Sequence, residues 1–143
     1  MDIEKYAEHL RSVADQQEKI VLEVIQRNEP TLVDLNTAQL MEGKDADGNS
    51  LGEYRNEDYA RFKRTLNPRG VVDLKLTGDF HDSIYIEAQR FPIFADARDP
   101  KTGKLIDTYG KILGFTKESK EAAADQIGPE AIEEIQARIF LIR

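Results

Sequence analysis

The sequence predicts an α+β fold in which a small antiparallel sheet is flanked by long N-terminal and C-terminal helices. Three observations support this prediction. Apolar residues follow a helical spacing near both ends of the chain, the middle holds short runs of β-branched and aromatic residues, and turn residues separate those runs. The length of 143 residues fits a single domain, 1–143, with a substantial buried core.

Residues 3–27 are predicted to form the first long helix. Their apolar positions repeat at intervals of three and four, with an interruption at Gln17, and the segment contains neither glycine nor proline. Asn28 and Pro30 are expected to end the helix, because proline cannot continue it. Such a stripe packs on its own domain or on a neighbouring subunit, and the first interpretation is favoured here.

Residues 34–66 are predicted to contain a loop and two short helices. The first helix, 34–41, would have Asp34 or Asn36 as its N-cap and would stop before Gly43.

The second short helix is predicted over 56–66, after a turn-forming segment at 44–52 that is rich in Asp, Gly, Asn and Ser. Asn56 is its expected N-cap, with acidic residues in the first turn. Three apolar side chains fall at the spacing of a core-facing stripe: Tyr59, Phe62 and Leu66.

The β region is predicted over 71–95 in three strands. The first strand, 71–76, alternates apolar residues with Asp73 and Lys75, which predicts one buried face and one solvated face. A turn with one helical turn after it leads to the second strand at 84–88. The third, 91–95, contains a proline and is placed at a sheet edge or a strand start.

The C-terminal region, 104–142, is predicted to be helical and to follow a turn cluster at 96–103. A short helix at 104–109 ends at a glycine, and the second long helix runs over 116–142. The pair Gly128-Pro129 is expected to interrupt this helix or to begin a new one.

Composition limits the function classes. The net charge of −7 argues against a dedicated nucleic-acid binder, although a local basic patch is compatible with it. The absence of cysteine excludes disulfides, thiolate chemistry and Cys-type zinc sites. The N-terminus is not a signal peptide and no apolar run approaches the length of a membrane span, which predicts a soluble protein.

The run DADGN raises the question of a calcium or carboxylate site. Counted from Asp45, an EF-hand would need glycine at Ser50 and glutamate at Asn56, so the loop fails at its two most demanding positions. A metal-dependent hydrolase or nuclease using Asp45, Asp47 and Glu53 remains an alternative, although acidic clusters are common in a chain with 27 acids.

A second alternative is a nucleic-acid-binding module centred on Arg61, Lys63 and Arg64, where basic residues alternate with aromatic ones. The two histidines, His9 and His81, lie far apart in sequence, and a surface role is favoured over a catalytic pair. We expect no catalytic residue, cofactor or metal, and therefore no enzymatic activity.

The order of motifs between residues 40 and 90 resembles the virion-morphogenesis, or tail-completion, proteins of tailed bacteriophages and prophages. An amphipathic helix is followed by a glycine-containing loop, a basic helix and a hairpin signature. The hairpin signature consists of Leu74, Leu76, Thr77, Gly78, Phe80, Ser83 and Ile84. The loop matches through Gly48, Leu51, Gly52 and Tyr54.

The resemblance implies a structural protein of the head–tail connector, neck or tail-completion type. Its partners would be other copies of itself in a ring, virion proteins such as portal, adaptor or tail proteins, and nearby packaged DNA, with no membrane. It would be located in the virion after synthesis in the bacterial host cytoplasm.

Loops 42–55 and 96–103 are predicted to contact neighbouring subunits, because charged, turn-rich loops are suited to that role. The candidate interface residues are Asp45, Asp47, Asn49, Glu53, Tyr54, Arg55, Arg61, Arg64, Arg98, Asp99 and Lys101. A fold-defining corner is predicted at Thr77, Gly78, Phe80 and Ser83.

Overall fold

The computed structural model describes residues 2–140 and confirms the α+β fold. Six α-helices, a two-stranded antiparallel sheet and a final π-helical turn make up the regular structure of this part of the chain. The helices are α1 (Ile3–Arg27), α2 (Glu29–Met41), α3 (Glu57–Leu66), α4 (Asp79–Asp82), α5 (Thr102–Tyr109) and α6 (Lys117–Ile135). The strands are β1 (Ile84–Glu87) and β2 (Phe94–Ala97), and the π-helical turn is Gln136–Phe140.

The first long helix has the predicted bounds, but the next helix begins earlier than predicted. Asn28 ends α1 and α2 starts at Glu29, so neither Asp34 nor Asn36 is an N-cap. Pro30 is compatible with this start. Proline lacks a backbone N–H group, and the first turn of a helix makes no hydrogen bond within the helix through that group.

The sheet contains two strands rather than three. Residues 71–76 form no strand, because Leu74 has a left-handed φ of 59° and the consecutive residues Val72 and Asp73 are both buried. Alternation between two faces is therefore lost. The second predicted strand corresponds to β1, and the third lies three residues later than predicted, at β2.

The C-terminal helices follow the prediction more closely. Helix α5 begins two residues before the predicted start, and Thr116 caps α6 by accepting a hydrogen bond from the Ser119 N–H. Helix α6 continues through Pro129, so the predicted interruption is wrong. The predicted extension to Ile142 lies partly outside the described residues.

The main core lies where the long helices meet the sheet. Helix α1 runs antiparallel to α6 and the π-helical turn, since Arg27 bonds Glu130 at 2.8 Å and Glu23 bonds Arg138 at 2.6 Å. The buried residues of this core are Ile20, Val24, Ile25, Leu32, Ile86, Ala88, Ala95, Ile127 and Ala131. A second buried cluster comprises Leu40, Phe80, Ile84 and Ile112.

Two side-chain amides of α2 fasten the segment 111–116 to this core. The amide of Asn36 donates to the Ile112 carbonyl at 3.1 Å and accepts from the Gly114 N–H at 3.0 Å. Gln39 repeats the pattern by donating to the Gly114 carbonyl and accepting from the Thr116 N–H, both at 2.9 Å. Four backbone groups are thereby satisfied without a neighbouring strand.

Candidate assembly interface

A buried ion pair connects α3 to the loop that follows it. Lys63 and Asp73 are each 1% exposed, and the Lys63 ammonium lies 2.7 Å from Asp73 Oδ1. The same ammonium donates to the Lys75 carbonyl. Lys63 is therefore directed into the protein and is not available to a phosphate backbone, which removes the central residue of the nucleic-acid alternative.

Further hydrogen bonds complete the network around Asp73. Its Oδ1 accepts from the Lys75 N–H at 2.9 Å, and its Oδ2 accepts from the Asn67 amide at 3.0 Å. Asn67 also donates to the Met41 carbonyl, and the buried His81 ring contacts the Asp73 carbonyl through Nε2 at 2.7 Å. Since a carbonyl can only accept, Nε2 of His81 carries the proton.

Burial and hydrogen bonding act in opposite directions on the pKa of Asp73. Burial raises the pKa, but the hydrogen bonds from Lys63, the Lys75 N–H and Asn67 outweigh it, so the pKa lies below its ordinary value. Burial lowers the pKa of His81 and favours the neutral ring. The network is therefore ionised at Asp73 and neutral at His81 near pH 7.

A cleft of about 270 Å³ lies beside this network. Its lining includes residues of both predicted contact loops and of the predicted corner. Tyr54 comes from the first contact loop, Gly78 from the corner, and Asp99 and Lys101 from the second contact loop. Lys63 also reaches its wall. Segments that are distant in sequence thus meet at this cleft, next to the Lys63–Asp73 pair.

Tyr54, Tyr59 and Leu76 line the cleft, and Phe62 lies beside Tyr59 on α3. The Tyr54 and Tyr59 rings meet edge to face at a centroid distance of 5.1 Å, and Phe62 lies 6.2 Å from Tyr59. Burial and the charge of Asp73 raise the pKa of Tyr54 to about 12, so its hydroxyl stays protonated. We define the aromatic surface as Tyr54, Tyr59, Phe62, Leu66 and Leu76.

The exposure of the aromatic surface contradicts the prediction that its α3 members face the core. Phe62 is 48% exposed, Leu66 is 51% exposed and Leu76 is 58% exposed. The core-facing position of α3 is taken by Lys63 instead.

The DADGN loop is organised by its own first aspartate. Asp45 Oδ1 accepts from the N–H groups of Asp47 and Asn49, both at 2.9 Å. Asp47 lies 3.2 Å from Lys111 on the exposed surface. Both acids thus have partners within the chain, as expected for a structured turn.

The remaining candidates near α3 are at the surface. Glu53, Arg55, Arg61 and Arg64 are all exposed, and Arg61 makes a long contact of 3.6 Å with Asp58. Arg64 extends over Gly70, with side-chain carbons close to its backbone. These charges lie around the aromatic surface and the neighbouring loop.

The second contact loop is attached to β1. The Arg98 guanidinium lies 3.8 Å above the Tyr85 ring, and the Asp99 N–H donates to Ser83 Oγ at 3.0 Å. Asp99 Oδ1 accepts from the Lys101 N–H at 2.7 Å, which shapes the start of α5.

The corner has the conformation expected from the sequence. Gly78 has a φ of 92°, which favours glycine, and it precedes α4 directly. Phe80 is buried in the second cluster, Ser83 donates to the Phe80 carbonyl at 2.8 Å, and Thr77 Oγ1 accepts from the Asp79 N–H. Ser83 therefore serves the backbone and makes no hydrogen bond with His81.

A second exposed apolar surface lies on the N-terminal part of α1. Ile3 is 79% exposed, and Tyr6 and Leu10 are each 51% exposed. Val13, one helical step further, is half-buried. We define these four residues as the α1 stripe. The buried residues of α1 begin only at Ile20, so the favoured interpretation, a stripe packed on its own domain, holds for only half of the helix.

Sequence reasoning missed the residues that organise the site. Asp73 lies between Val72 and Leu74 and is a charge inside an apolar run, and Lys63 follows Phe62 ten residues earlier. That arrangement is the signal that could have indicated a buried pair.

Comparison of the chain with protein-family models, with curated proteins and with solved structures found no match in any of the three. Within residues 2–140, no cluster of three or more potential ligands suits a metal ion, and no helix has the length and apolar character needed to cross a membrane.

Proposed function

We propose that this chain is a structural subunit of a tailed-bacteriophage virion, of the head–tail connector, neck or tail-completion type. It acts by assembling with copies of itself and with neighbouring virion proteins rather than by catalysis. Its place is the virion, after synthesis in the cytoplasm of the bacterial host. The motif resemblance supports the phage assignment.

The observation that carries the assembly role is the pair of exposed apolar surfaces. Large apolar side chains project from the α1 stripe and from the aromatic surface, whereas isolated monomers seldom expose contiguous apolar patches of large area. Aromatic residues are also enriched at the centres of protein interfaces. Both surfaces are therefore suited to burial against other subunits.

The buried Lys63–Asp73 network gives the aromatic surface a fixed shape. It attaches α3 to the corner and leaves Tyr59, Phe62 and Leu76 on the outside. The charged loops 42–55 and 96–103 lie at the margins of the cleft, where polar rims usually exclude water from an interface. Recognition would rest on this shape and on charge complementarity.

The test is the mass of the purified chain by light scattering over a wide concentration range, alone and with candidate portal, adaptor and tail proteins. Phe62→Glu is expected to weaken association at least tenfold, because it places a charge at the centre of the aromatic surface. Thr65→Glu adds the same charge beside this surface on the same helix and is the matched control. A wild-type chain that stays monomeric and binds no virion protein would overturn the proposal.

A further inference from the structure

Among residues 2–140, the N-terminal part of α1 makes no tertiary packing comparable to that of its C-terminal part. Ile20, Val24 and Ile25 pack in the main core with residues of α6 and the π-helical turn. The ion pair between Glu23 and Arg138 lies in the same C-terminal part. Toward the N-terminus, the α1 stripe continues the same helix face into solvent.

The apolar face of α1 has a strict heptad repeat. Alternating steps of three and four connect Ile3, Tyr6, Leu10, Val13, Gln17, Ile20 and Val24. In heptad notation the a positions are Ile3, Leu10, Gln17 and Val24, and the d positions are Tyr6, Val13 and Ile20. The last members of this seam already pack against a helix within the chain, so the exposed members continue an existing helix–helix interface.

We propose that the α1 stripe packs against the same segment of a second copy of this chain, as a parallel, in-register coiled coil. This pairing gives the α1 stripe a partner, namely a second copy of the chain. It rests on the proposed function because both require copies of the chain to associate. An in-register parallel pair of identical helices has a two-fold axis, so this contact joins two copies of the chain and leaves the aromatic surface for contacts with further subunits.

Charges on α1 permit this self-pairing. The positions that flank a seam are e and g, and within residues 3–19 they hold Ala7 and Ala14 at e and His9 and Gln16 at g. Because none of the four is an acidic or permanently basic residue, two copies bring no like charges into opposition beside the seam at neutral pH. The charged side chains lie at the outer positions b, c and f: Glu4, Lys5, Glu8, Arg11, Asp15, Glu18 and Lys19.

Gln17 supports the parallel, in-register arrangement. It is the single polar residue of the seam, at an a position. A single buried polar residue at an a position specifies register when it meets its own copy, because an apolar partner would leave it without a hydrogen bond. A side-chain amide both donates and accepts, so two Gln17 residues can satisfy each other across a parallel pair.

Charge favours a protein occupant over a membrane or nucleic acid. Residues 2–19 contain five acidic and three basic side chains, for a net charge of −2 with His9 neutral. Anionic lipid surfaces and phosphate backbones attract basic segments and repel this one.

The exposed N-terminal segment of α1, residues 3–19, is short. Residues 3–19 span about 25 Å at the helical rise of 1.5 Å per residue. Fewer than three heptads bury less than the roughly 800 Å² per partner of a standard interface. The α1 contact is therefore expected to be weak alone and to act together with the aromatic surface in one assembly.

Site-directed cross-linking of the full chain tests the arrangement, and the native absence of cysteine makes single-cysteine variants unambiguous. In a parallel, in-register pair, Tyr6→Cys and Val13→Cys each form a disulfide with the same position of the other copy. Ser12→Cys lies off the seam and is the matched control. An antiparallel pair places a positions opposite d positions and would instead link Leu10→Cys to Val13→Cys in a mixture of the two variants.

Self-links at both seam positions with little linking at Ser12 are the expected result. Preferential mixed links, or seam links no stronger than those of the control, would overturn the inference. Association with a different virion protein, lipid vesicle or DNA through α1 without self-links would overturn it as well.

A second measurement separates this inference from the proposed function. Leu10→Glu is expected to weaken self-association at least tenfold, whereas Ser12→Glu leaves it unchanged, and both variants should unfold like the wild type because both positions are exposed. If Leu10→Glu has no effect while Phe62→Glu prevents assembly, the inference fails and the proposed function stands. If the wild type neither self-associates nor binds virion proteins, both fail.

Discussion

Lys63 Nζ and Asp73 Oδ1 lie 2.7 Å apart at positions where both side chains are 2% exposed. Ten residues separate them in sequence, and the pair fixes α3 to the loop before the corner. Its role is geometric, because a buried ion pair contributes little net stability compared with a well-packed apolar pair of the same volume. Removal of one partner of the pair should nevertheless lower the free energy of unfolding.

Lys63→Met is expected to lower the free energy of unfolding by about 3–5 kcal/mol, because it leaves the buried Asp73 carboxylate without its cation. Arg61→Met, two residues earlier on the same helix, removes an exposed charge and should change stability by less than about 0.5 kcal/mol. Urea unfolding of both variants measures the difference. Equal stabilities would show that Asp73 is solvated or paired elsewhere.

The buried, neutral His81 predicts a loss of stability in mild acid. Its pKa in the folded chain is below the unfolded value of about 6.5, so the unfolded state binds more protons as the pH falls below that value. The stability from this residue is complete above about pH 6.5 and declines as the pH falls toward the folded pKa.

The measurement is the free energy of unfolding between pH 7 and pH 5. His81→Gln should flatten this dependence, whereas His9→Gln, on an exposed face of α1, should retain it. Asp73 acts at lower pH: its folded pKa lies below the unfolded value of about 3.9, so its contribution is lost as the pH falls through the folded pKa. A dependence between pH 7 and pH 5 that survives in His81→Gln would exclude His81 as its source.

Asn36→Leu is expected to destabilise the chain by about 2–4 kcal/mol. It leaves the Ile112 carbonyl and the Gly114 N–H without partners, and each unsatisfied buried group costs about 1–3 kcal/mol. Asp34→Leu makes a comparable polar-to-apolar change on the exposed side of α2 and is the control. Hydrogen exchange at the Gly114 amide should also accelerate in Asn36→Leu; unchanged exchange would argue against the bond.

Gly43→Ala is expected to be markedly more harmful than Gly48→Ala. Both glycines have a positive φ, which costs another residue about 1–2 kcal/mol. At Gly43, however, an added methyl would lie 2.7 Å from Val71 Cβ, whereas Gly48 has open space. Overpacking should add about 1–3 kcal/mol at Gly43 alone. Thermal unfolding of the two variants provides the comparison, and equal losses would contradict the close packing.

Local patterns predicted much of the fold. The bounds of α1 follow from its three-and-four spacing and from Asn28. Asn56 and Thr116 cap their helices by accepting hydrogen bonds from the N–H groups of Tyr59 and Ser119. These features depend on residues within a few positions of one another, which a sequence displays directly.

The failures arise where a distant partner decides the structure. Alternation over 71–76 predicts two faces, but Asp73 turns inward because Lys63 lies there to receive it. The same contact directs Lys63 inward and leaves Phe62 and Leu66 outside, against the spacing of α3. Asn36 has the residue type of an N-cap, yet its partners lie more than seventy positions away, at 112 and 114.

The amides of Asn36 and Gln39 also protect the chain against strand addition. They occupy alternate backbone groups at residues 112, 114 and 116, which would otherwise form an open edge. Open edges recruit strands from other molecules and lead to aggregation. Where many copies gather at high local concentration, closing this edge directs association toward helix faces, which have a defined geometry.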